Sequence, residues 1–566
     1  MQYADAGARA LLADRLDILA DPAAAGWSLI KQNASRSVYA GQLDRQAMYI
    51  KHFHPHSRFK RLARRVGLGD ARREMRRARQ LRAAGVDTPD VLACCTAGGC
   101  EWVLTRAVAP ATPADVWHGE QLVRGQVGRA EIRRMIDQLA GLIGRMHAAG
   151  IVHRDLHCGN VLVQPAGPAW RLVLMDLHRT QRRARLSRRL RAANLAQLMH
   201  DRWGATTRSE RMRFLVRYLA ASGAEGSRRG WAYLVEQFAR RHRARQLAQR
   251  DRRPFRRNKY FSPIRLADRW GGHVVLASKR CMAGSKAAGH TFTAEQWRQA
   301  LAEPESLLSG EGVVVVKDSP SSQVVHRTLS VGGVDLDVFI KRSRRKRAWK
   351  GLIDCLRRSR ALRAFALGHA LLARRIATAL PLAALERRVG PYLTDSLLIT
   401  ETVEAPSLQE FLRTRLGGAS SDAPGGRFQL AQEVLWQLGR LVQMLHDHAF
   451  AHRDLKATNL LVCSGRGGAQ AEVVLLDLDG LSRRRLMTSR RMFQGLMRLN
   501  VSLLQCPEVN RAGRLRMLLG YLRRPGSGRV NFKPYWRVLE EWSDRKLDAQ
   551  IRSRQRRQRA ARRPGS

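Results

Sequence analysis

The strongest constraint on the fold is a segment that the chain contains twice. Residues 150–163 read Gly-Ile-Val-His-Arg-Asp-Leu-His-Cys-Gly-Asn-Val-Leu-Val, and residues 450–462 read Phe-Ala-His-Arg-Asp-Leu-Lys-Ala-Thr-Asn-Leu-Leu-Val. Other segments recur in the same order, namely 48–51 with 338–341, 104–108 with 399–403, 172–176 with 474–477, and 194–218 with 495–521. This ordered set of matches predicts a duplicated domain.

Each half of the chain has the same predicted order of secondary structure. Alternating apolar and polar residues at 38–53 and 324–340 predict β-hairpins. Apolar residues at helical spacing over 132–149 and 433–446 predict long amphipathic helices. Because a β-rich lobe followed by a helical lobe is the arrangement of protein kinases, we expect an α+β fold with two tandem protein-kinase-like bilobal domains.

The length of the chain agrees with two domains. A chain of 566 residues with 44% apolar residues exceeds what one hydrophobic core normally organises. We expect a first kinase-like domain at 1–260, a connecting segment at 261–305 and a second kinase-like domain at 306–550. The arginine-rich end at 551–566 is typical of a basic disordered tail.

The repeated segment carries the pattern H-R-D-x-x-x-x-N at 153–160 and again at 452–459. Phosphoryl transfer needs a carboxylate that orients the attacking hydroxyl and accepts its proton, and it needs oxygen ligands for Mg²⁺. Asp155 and Asp454 are therefore the predicted catalytic bases. A strand that ends in a further Asp follows each motif, so the predicted metal ligands are Asn160 and Asp176 in the first half and Asn459 and Asp477 in the second.

A lysine closes one of the early strands in each half. Lys51 and Lys341 are predicted to hold the phosphates of ATP, and a Glu on the next helix normally pairs with such a lysine. Glu74 is the predicted partner in the first half, with a solvated Glu among arginines as the alternative. The helix predicted at 360–379 contains no acid, and only Asp354 lies near, so the second pair is in doubt. Neither half has a G-x-G-x-x-G loop, since serine-rich segments at 33–37 and 319–323 take its place.

The charge of the chain is strongly positive, with 102 Lys and Arg against 47 Asp and Glu. Such a surface attracts anions, whether nucleic acid, anionic lipid or a phosphorylated glycolipid, and composition alone does not choose among them. Arginine clusters at 179–191 and 240–257 fit either phosphate binding or a solvated face. The eight scattered cysteines, the lack of an apolar leader at 1–10 and the absence of a long apolar stretch predict a cytoplasmic protein with only peripheral membrane contact.

The motifs resemble the lipopolysaccharide core sugar kinases, the heptose and Kdo kinases of Gram-negative bacteria. The resemblance is most specific at 176–181, where Asp-Leu-His-Arg-Thr-Gln replaces the D-F-G of protein kinases. It implies ATP- and Mg²⁺-dependent phosphorylation of an inner-core sugar hydroxyl at the inner face of the inner membrane, with the glycolipid core as substrate. It assigns the base, the metal ligands and the phosphate-positioning pair to Asp155, Asn160, Asp176, Lys51 and Glu74. The second half matches at Lys341, Asp454, Asn459 and Asp477.

Two other classes of function share some of these features. A protein Ser/Thr kinase has the same catalytic residues, but 176–194 is arginine-dense and lacks the A-P-E element of an activation segment. A pseudokinase scaffold or a nucleic-acid binder would explain the basic charge without catalysis. The joint presence of the predicted catalytic residues in the first half argues against a dead module there.

Overall fold

A computed structural model describes residues 1–13, 15, 17–33, 35–54, 69–97, 100–124, 128–167, 169–199, 206–278, 285–344, 357–417, 424–464, 471–524 and 530–561. The chain forms two compact units, Met1–Arg245 and Gln246–Ser566. No helix among the described residues is long and apolar enough to cross a membrane.

Unit 1 begins with a β-rich lobe built on a six-stranded sheet. Its elements are β1 (Gln2–Tyr3), α1 (Ala6–Leu11), α2 (Asp17–Ala20), β2 (Ser28–Asn33), β3 (Arg36–Leu43), β4 (Gln46–Phe53), α3 (Asp70–Ala83), β5 (Val91–Ala97) and β6 (Cys100–Arg106). The strand order is β1-β5-β6-β4-β3-β2. The predicted hairpin is β3–β4, and the cysteines at 94, 95 and 100 lie on the strand pair β5–β6.

The second lobe of unit 1 is mostly helical. Its elements are β7 (Thr112–Pro113), α4 (Ala114–Arg124), α5 (Arg129–Ala148), β8 (Ile151–His153), β9 (Val161–Ala166), β10 (Ala169–Leu174), β11 (Thr180–Arg182), α6 (Arg188–Met199), α7 (Arg208–Ser222) and α8 (Arg228–Arg252). The stripe of apolar residues predicted for α5 packs into the core, where Leu142, Ile143 and Met146 are buried. Strands β8 to β11 form small sheets that carry the loops with the predicted catalytic residues.

Unit 2 repeats most of this order of elements. Its β-rich lobe contains β12 (Phe261–Arg265), β13 (Trp270–Val275), α9 (Ala294–Ala300), β14 (Val314–Ser319), β15 (Ser322–Val331), β16 (Val334–Ser343), α10 (Arg360–Ala373), β17 (Pro381–Val389) and β18 (Tyr392–Glu401). Its helical lobe contains α11 (Leu408–Gly417), α12 (Pro424–Asp447), β19 (Phe450–His452), β20 (Leu460–Ser464), β21 (Ala471–Leu475), β22 (Leu481–Arg483), α13 (Ser489–Leu504), α14 (Arg511–Leu522) and α15 (Lys533–Ala561).

The registers of the two units agree in detail. Val38 lies opposite Lys51 in β3–β4, and Val324 lies opposite Lys341 in β15–β16. The strand that precedes each hairpin also has a shift in its pairing register at the equivalent place. The shift comes just before Lys31 in β2 and just before Lys317 in β14. The segments that match in sequence therefore occupy equivalent positions in two similar folds.

The domain limits differ from those that the sequence suggested. The unit boundary falls inside α8, before the expected end at residue 260. The segment 261–305, expected to be a connection, instead supplies β12 and β13 to a seven-stranded sheet of unit 2, with the order β12-β13-β17-β18-β16-β15-β14. Burial explains this, because Trp270 and Trp297 are in the core and the Trp297 indole Nε1 donates to the Val275 carbonyl at 2.7 Å. The Gly-Gly pair within β13 weakens its sequence signal.

The expected disordered tail also differs. Helix α15 continues to Ala561, so residues 551–561 are helical, and 562–566 lie outside the described residues. Arginine, glutamine and alanine are good helix formers, and a helix already anchored by buried Trp536 and Leu539 extends at little cost. The cluster of like charges predicts a tail because composition does not report this anchoring.

Each helical lobe contains a buried histidine that contacts a tyrosine. His147 on α5 lies 2.8 Å from the hydroxyl of Tyr218 on α7, and His446 on α12 lies 3.1 Å from the hydroxyl of Tyr521 on α14. Burial lowers the pKa of His147 and of His446 to about 4 in each case. Both imidazoles are therefore neutral in the folded protein at neutral pH.

We expect acid to destabilise the protein through these histidines. Below about pH 6.5 these histidines are protonated in the unfolded chain but stay neutral in the folded chain. The free energy of unfolding therefore decreases as the pH drops towards 4, by about 1.4 kcal/mol per pH unit for each histidine. Urea unfolding between pH 7.5 and 5.5 should show a smaller loss in His147→Gln than in the wild type. The exposed His290 provides the control, since His290→Gln should keep the wild-type slope. Equal slopes in wild type and His147→Gln would contradict the prediction.

Candidate active site

In unit 1 Lys51 and Glu74, the predicted phosphate-positioning pair, form an ion pair. Lys51 Nζ on β4 lies 2.5 Å from Glu74 Oε1 on α3, and the two side chains are 8% and 3% exposed. Burial alone would raise the pKa of Glu74, but the charge of Lys51 lowers it to about 2. His178 Nδ1 lies 3.7 Å from Glu74 Oε2. The Glu is therefore a buried, ionised partner of the lysine and not a solvated residue among arginines.

The local fold fixes the helix that carries Glu74. The Glu101 carboxylate of β6 accepts a hydrogen bond of 2.9 Å from the backbone N–H of Asp70, at the start of α3. A Cβ on Gly69 would lie 1.7 Å from that carboxylate, so only glycine allows it to reach the helix terminus. This contact satisfies one of the N–H groups that a helix start leaves unpaired.

Asp176 lies next to the lysine. Its backbone is left-handed, with φ of 55°, at the turn between β10 and β11. Lys51 Nζ is 3.7 Å from Asp176 Oδ1, and Arg36 Nη1 at the start of β3 is 3.1 Å from the same oxygen. Burial works against ionisation here, but the charges of Lys51 and Arg36 outweigh it and hold the pKa of Asp176 well below its usual range. The strained backbone thus aims an ionised carboxylate at the lysine.

Asp155 and Asn160 are brought together by the loop after β8. The Asn160 side-chain Nδ2 donates to the Asp155 carbonyl at 2.8 Å, and the Asn160 carbonyl accepts from the backbone N–H of Met175 at 2.8 Å. The amide is anchored through its NH₂ group, which leaves its Oδ1 available for a cation. The residue next to Met175 is Asp176, so one hydrogen-bonded loop carries both predicted metal ligands of unit 1.

His153 links the same loop to the segment that holds Asp176. Its Nδ1 accepts from the backbone N–H of Asp155 at 3.2 Å, so its Nε2 carries the proton and donates to the Met175 carbonyl at 3.0 Å. Burial lowers the pKa of His153, in agreement with this neutral tautomer. The imidazole thereby fixes the backbone on both sides of the site.

A further buried residue, Asn194 on α6, supports this loop. Its Nδ2 donates to the His153 carbonyl at 2.7 Å, and its Oδ1 accepts from the His153 N–H at 3.2 Å. The same Oδ1 accepts from His147 Nε2 at 3.0 Å, which leaves His147 Nδ1 to accept from Tyr218. In unit 2, Gly495 stands in the matching segment, beside the His446 ring. In the sequence alone, Asn194 stands out only as part of a segment that recurs in the second half.

Unit 2 places its predicted residues differently. Lys341 Nζ lies 3.0 Å from Asp477 Oδ1 and 2.6 Å from Asp479 Oδ2. Helix α10 contains no acidic residue, and Asp354 lies outside the described residues. Burial disfavours the charged lysine, but Asp479 and Asp477 raise the pKa of Lys341. The lysine therefore pairs with the predicted metal-side carboxylates in place of a helix Glu.

The loop after β19 in unit 2 keeps the contact between the Asn side chain and the Asp carbonyl seen in unit 1, but its histidine donates to a carbonyl one residue further along the chain. The Asn459 Nδ2 donates to the Asp454 carbonyl at 2.9 Å and approaches Asp454 Oδ2 at 3.3 Å. His452 Nδ1 accepts from the Asp454 N–H at 3.2 Å, and its Nε2 donates to the Asp477 carbonyl at 2.6 Å. Lys456 forms an ion pair of 2.9 Å with Asp454.

Both units offer one amide and one carboxylate as oxygen ligands, a set that suits Mg²⁺ when phosphate oxygens complete the shell. Among the described residues, no group of three or more His, Cys, Asp and Glu side chains is placed to hold a metal ion without such a partner. Four residues of the sites had no role in the sequence-based prediction: Arg36, Asn194, His178 and Asp479. Of these, His178 and Asp479 follow the predicted metal-site Asp by two residues, which is the only signal that sequence offered.

The chain matches the family model described as Lipopolysaccharide kinase (Kdo/WaaP) family at residues 25–218 and again at 324–521. The two matches together cover more than half of the chain, one in each unit. No curated protein matches the chain.

Two solved structures are similar to parts of the chain. "WaaP in complex with acyl carrier protein" has 22% sequence identity and a TM-score of 0.34, and the similarity covers 43% of this chain and 99% of that chain. "Crystal structure of BubR1 kinase domain" has 14% identity and a TM-score of 0.22, over 27% of this chain and 46% of that chain.

We expect Glu74→Gln to reduce ATP turnover by about tenfold or more, since Lys51 then loses its charged partner. The measurement is steady-state ADP formation by the full chain. The thermal midpoint, recorded in parallel, separates misfolding from a loss of chemistry. Unchanged turnover in a folded Glu74→Gln variant would remove Glu74 from the site.

Asn194→Gly, which installs the residue found at the matching place in unit 2, tests the support of the catalytic loop. We expect kcat to fall by about tenfold while KM for ATP changes by less than about twofold, because the loop loses its alignment but the Lys51–Glu74 pair stays. A purely structural role would lower the thermal midpoint and leave kcat of the folded fraction as it was, and that result would count against this positioning role.

Proposed function

Because the chain belongs to the lipopolysaccharide kinase (Kdo/WaaP) family and is thus an ATP-dependent phosphotransferase, we propose that unit 1 phosphorylates a heptose or Kdo hydroxyl of the lipopolysaccharide inner core. The observation that carries the proposal is the buried Lys51–Glu74 pair with Asp176 beside it, on the same scaffold as the Asp155–Asn160 loop. This set contains each part that phosphoryl transfer requires from the protein.

Each residue has a role that follows from its surroundings. Lys51 would bind the phosphates of ATP, and Glu74 would hold the ammonium in place, because the buried pair fixes the position of both side chains. Asp155 would accept the proton of the sugar hydroxyl as it attacks the γ-phosphorus. His153 and Asn194 would keep the Asp155 backbone in position through the hydrogen bonds described above.

Mg²⁺ would be held by Asn160 and Asp176, and it would neutralise charge on the phosphates. The fit rests on the ionised Asp176 carboxylate and on the Oδ1 that the anchored Asn160 amide presents. Arg36 also touches Asp176, so an arginine on the strand hairpin would lie beside the bound phosphates. This arginine would supply positive charge where a glycine-rich loop is missing.

Unit 2 is proposed to be the weaker or regulatory module. Asp454, Asn459 and Asp477 are in place, but Lys341 is held by two carboxylates, one of which is the proposed metal ligand. Nucleotide binding there would require Lys341 to leave this pair, and the free energy of doing so reduces the affinity. We therefore assign the main turnover to unit 1.

The proposed acceptor explains the charge of the chain. Lipopolysaccharide core is an anionic glycolipid, and a protein with 102 Lys and Arg against 47 Asp and Glu is attracted to it and to the membrane that carries it. The use of ATP places the proposed reaction on the cytoplasmic side of the inner membrane, with peripheral contact between protein and lipid. Nucleic acid is the less favoured partner, because the site residues are those of a kinase.

We expect Asp155→Asn to lower phosphate transfer to core oligosaccharide by about a thousandfold, since the base is lost. The matched variant Asp454→Asn should retain most of the activity. Mass spectrometry of the acceptor after incubation with ATP and Mg²⁺ reports the added phosphate and its site. If no core acceptor gains phosphate, the proposed substrate is wrong, and if only Asp454→Asn abolishes transfer, the roles of the two units are reversed.

A further inference from the structure

Unit 1 has a polar cavity of about 590 Å³ next to the proposed phosphoryl-transfer residues. It lies among the start of the β3 strand, one face of α3, and the segments that follow His153 and Asp176. The charged residues that line it are Arg36, Asp70, Arg73, Arg77, Arg154 and Arg179. Five of these are arginines and one is acidic, so the cavity carries an excess of positive charge.

Two of the arginines have carboxylate partners. Arg36 pairs with Asp176, and Arg73 Nη1 lies 3.1 Å from Asp70 Oδ1. In these two pairs the charge of each arginine is balanced by a carboxylate. The excess positive charge of the cavity therefore comes from the other three arginines.

Arg77, Arg154 and Arg179 form no ion pair among the described residues. Arg154 Nη2 donates to the neutral Gln181 at 2.9 Å, and Arg77 donates to the neutral Gln80. The buried Arg77 Nε has no hydrogen-bond partner within the described part of the chain. Burial and the nearby positive charges of Arg76, Arg182 and Arg73 lower the pKa of Arg77, as a strongly positive environment would.

Unit 2 differs from this arrangement at three described positions although it keeps the same registers. Because Thr180 pairs with His153 and Leu481 pairs with His452, Asp479 and Gly480 stand where unit 1 has His178 and Arg179. Along the hairpin, Ser322 stands where unit 1 has Arg36. Two arginines are replaced by neutral residues and one histidine by an acid. Arg36, His178 and Arg179 of the cavity wall are therefore particular to unit 1, while Arg453 stands where unit 1 has Arg154.

The size and chemistry of the cavity indicate its ligand. A cavity of about 590 Å³ exceeds a single oxyanion and is in the range of small-molecule sites. Guanidinium groups bind carboxylate and phosphate oxygens in pairs, which suits an acidic sugar or a sugar phosphate. Arg36 lines the cavity and also contacts Asp176, so a ligand here would lie against the reacting groups.

We propose that this cavity binds a phosphate or carboxylate group of the acceptor, so that the acceptor enters the site already carrying a negative charge near its reactive hydroxyl. The inference rests on the proposed function of unit 1 and adds a specificity subsite to it. It also orders the reactions, because the step that attaches the acidic group must precede the transfer.

The test compares three acceptors with the full chain: intact core oligosaccharide, the same material with its phosphates removed, and the same material with its carboxyl groups reduced. KM for the acceptor should rise by about tenfold or more for whichever treatment removes the bound group. Arg179→Ala and Arg77→Gln should raise KM for the intact acceptor by a similar factor, leave KM for ATP unchanged and abolish the discrimination between acceptors. Arg72→Ala is the matched control, since Arg72 is an exposed arginine on α3 that does not line the cavity, and it should behave as the wild type.

A calorimetric titration with inorganic phosphate separates this inference from the proposed function. If the wild type phosphorylates all three acceptors with equal KM, or if Arg179→Ala discriminates as the wild type does, the subsite is overturned while the proposed function stands. If no acceptor is phosphorylated, the proposed function fails, and the phosphate titration then decides whether the cavity is an anion site. Phosphate binding that is lost in Arg179→Ala and Arg77→Gln supports an anion site, and equal binding in all variants overturns it.

Discussion

The buried ion pair between Lys51 and Glu74 is the interaction on which the site of unit 1 depends. Two charges that are 8% and 3% exposed lose most of their hydration, and such a pair seldom adds net stability relative to apolar side chains. Removing one partner is costly, however, because the other charge is then buried alone. The pair thus ties β4 to α3 without stabilising the fold by much, and its presence is best explained by the position that it gives to the lysine.

The two equivalent lysines, Lys51 and Lys341, form ion pairs with carboxylates from different elements. In unit 1 His178 stands two positions after Asp176, and the helix supplies Glu74. In unit 2 the equivalent residue is Asp479, and its Oδ2 forms an ion pair with Lys341 Nζ at 2.6 Å. A helix acid is then unnecessary, which accounts for the apolar α10 helix, whose buried face is made of alanine, leucine and phenylalanine. The residue two positions after Asp176 or Asp477 therefore correlates with the element that holds the lysine.

The parts that sequence predicted well are those governed by short-range spacing. The loop that joins Asp155 to Asn160 is closed by hydrogen bonds across five residues, so its motif is legible without a structure. The strand hairpins and the α5 helix follow from periodicity. Contacts across long stretches of chain were not visible: Arg36 reaches Asp176 over 140 positions, and Asn194 reaches His153 over 41. Strand β13 was missed for the same reason, since its pairing with β17 depends on residues more than a hundred positions away.

The positive cavity of unit 1 has an electrostatic cost in the folded protein. Arg77, Arg154 and Arg179 line one cavity without carboxylate partners among the described residues, so their charges repel one another. Burial of the Arg77 Nε also removes a hydrogen bond to water. Unit 2 has the same backbone registers without Arg36 and Arg179, so the fold does not require these charges. A positive cluster that lies beside Asp176, and that unit 2 does not keep at the positions of Arg36 and Arg179, is better explained by an anionic ligand than by packing. A bound phosphate or carboxylate would neutralise the positive charge of the cavity, as Glu74 neutralises the charge of Lys51.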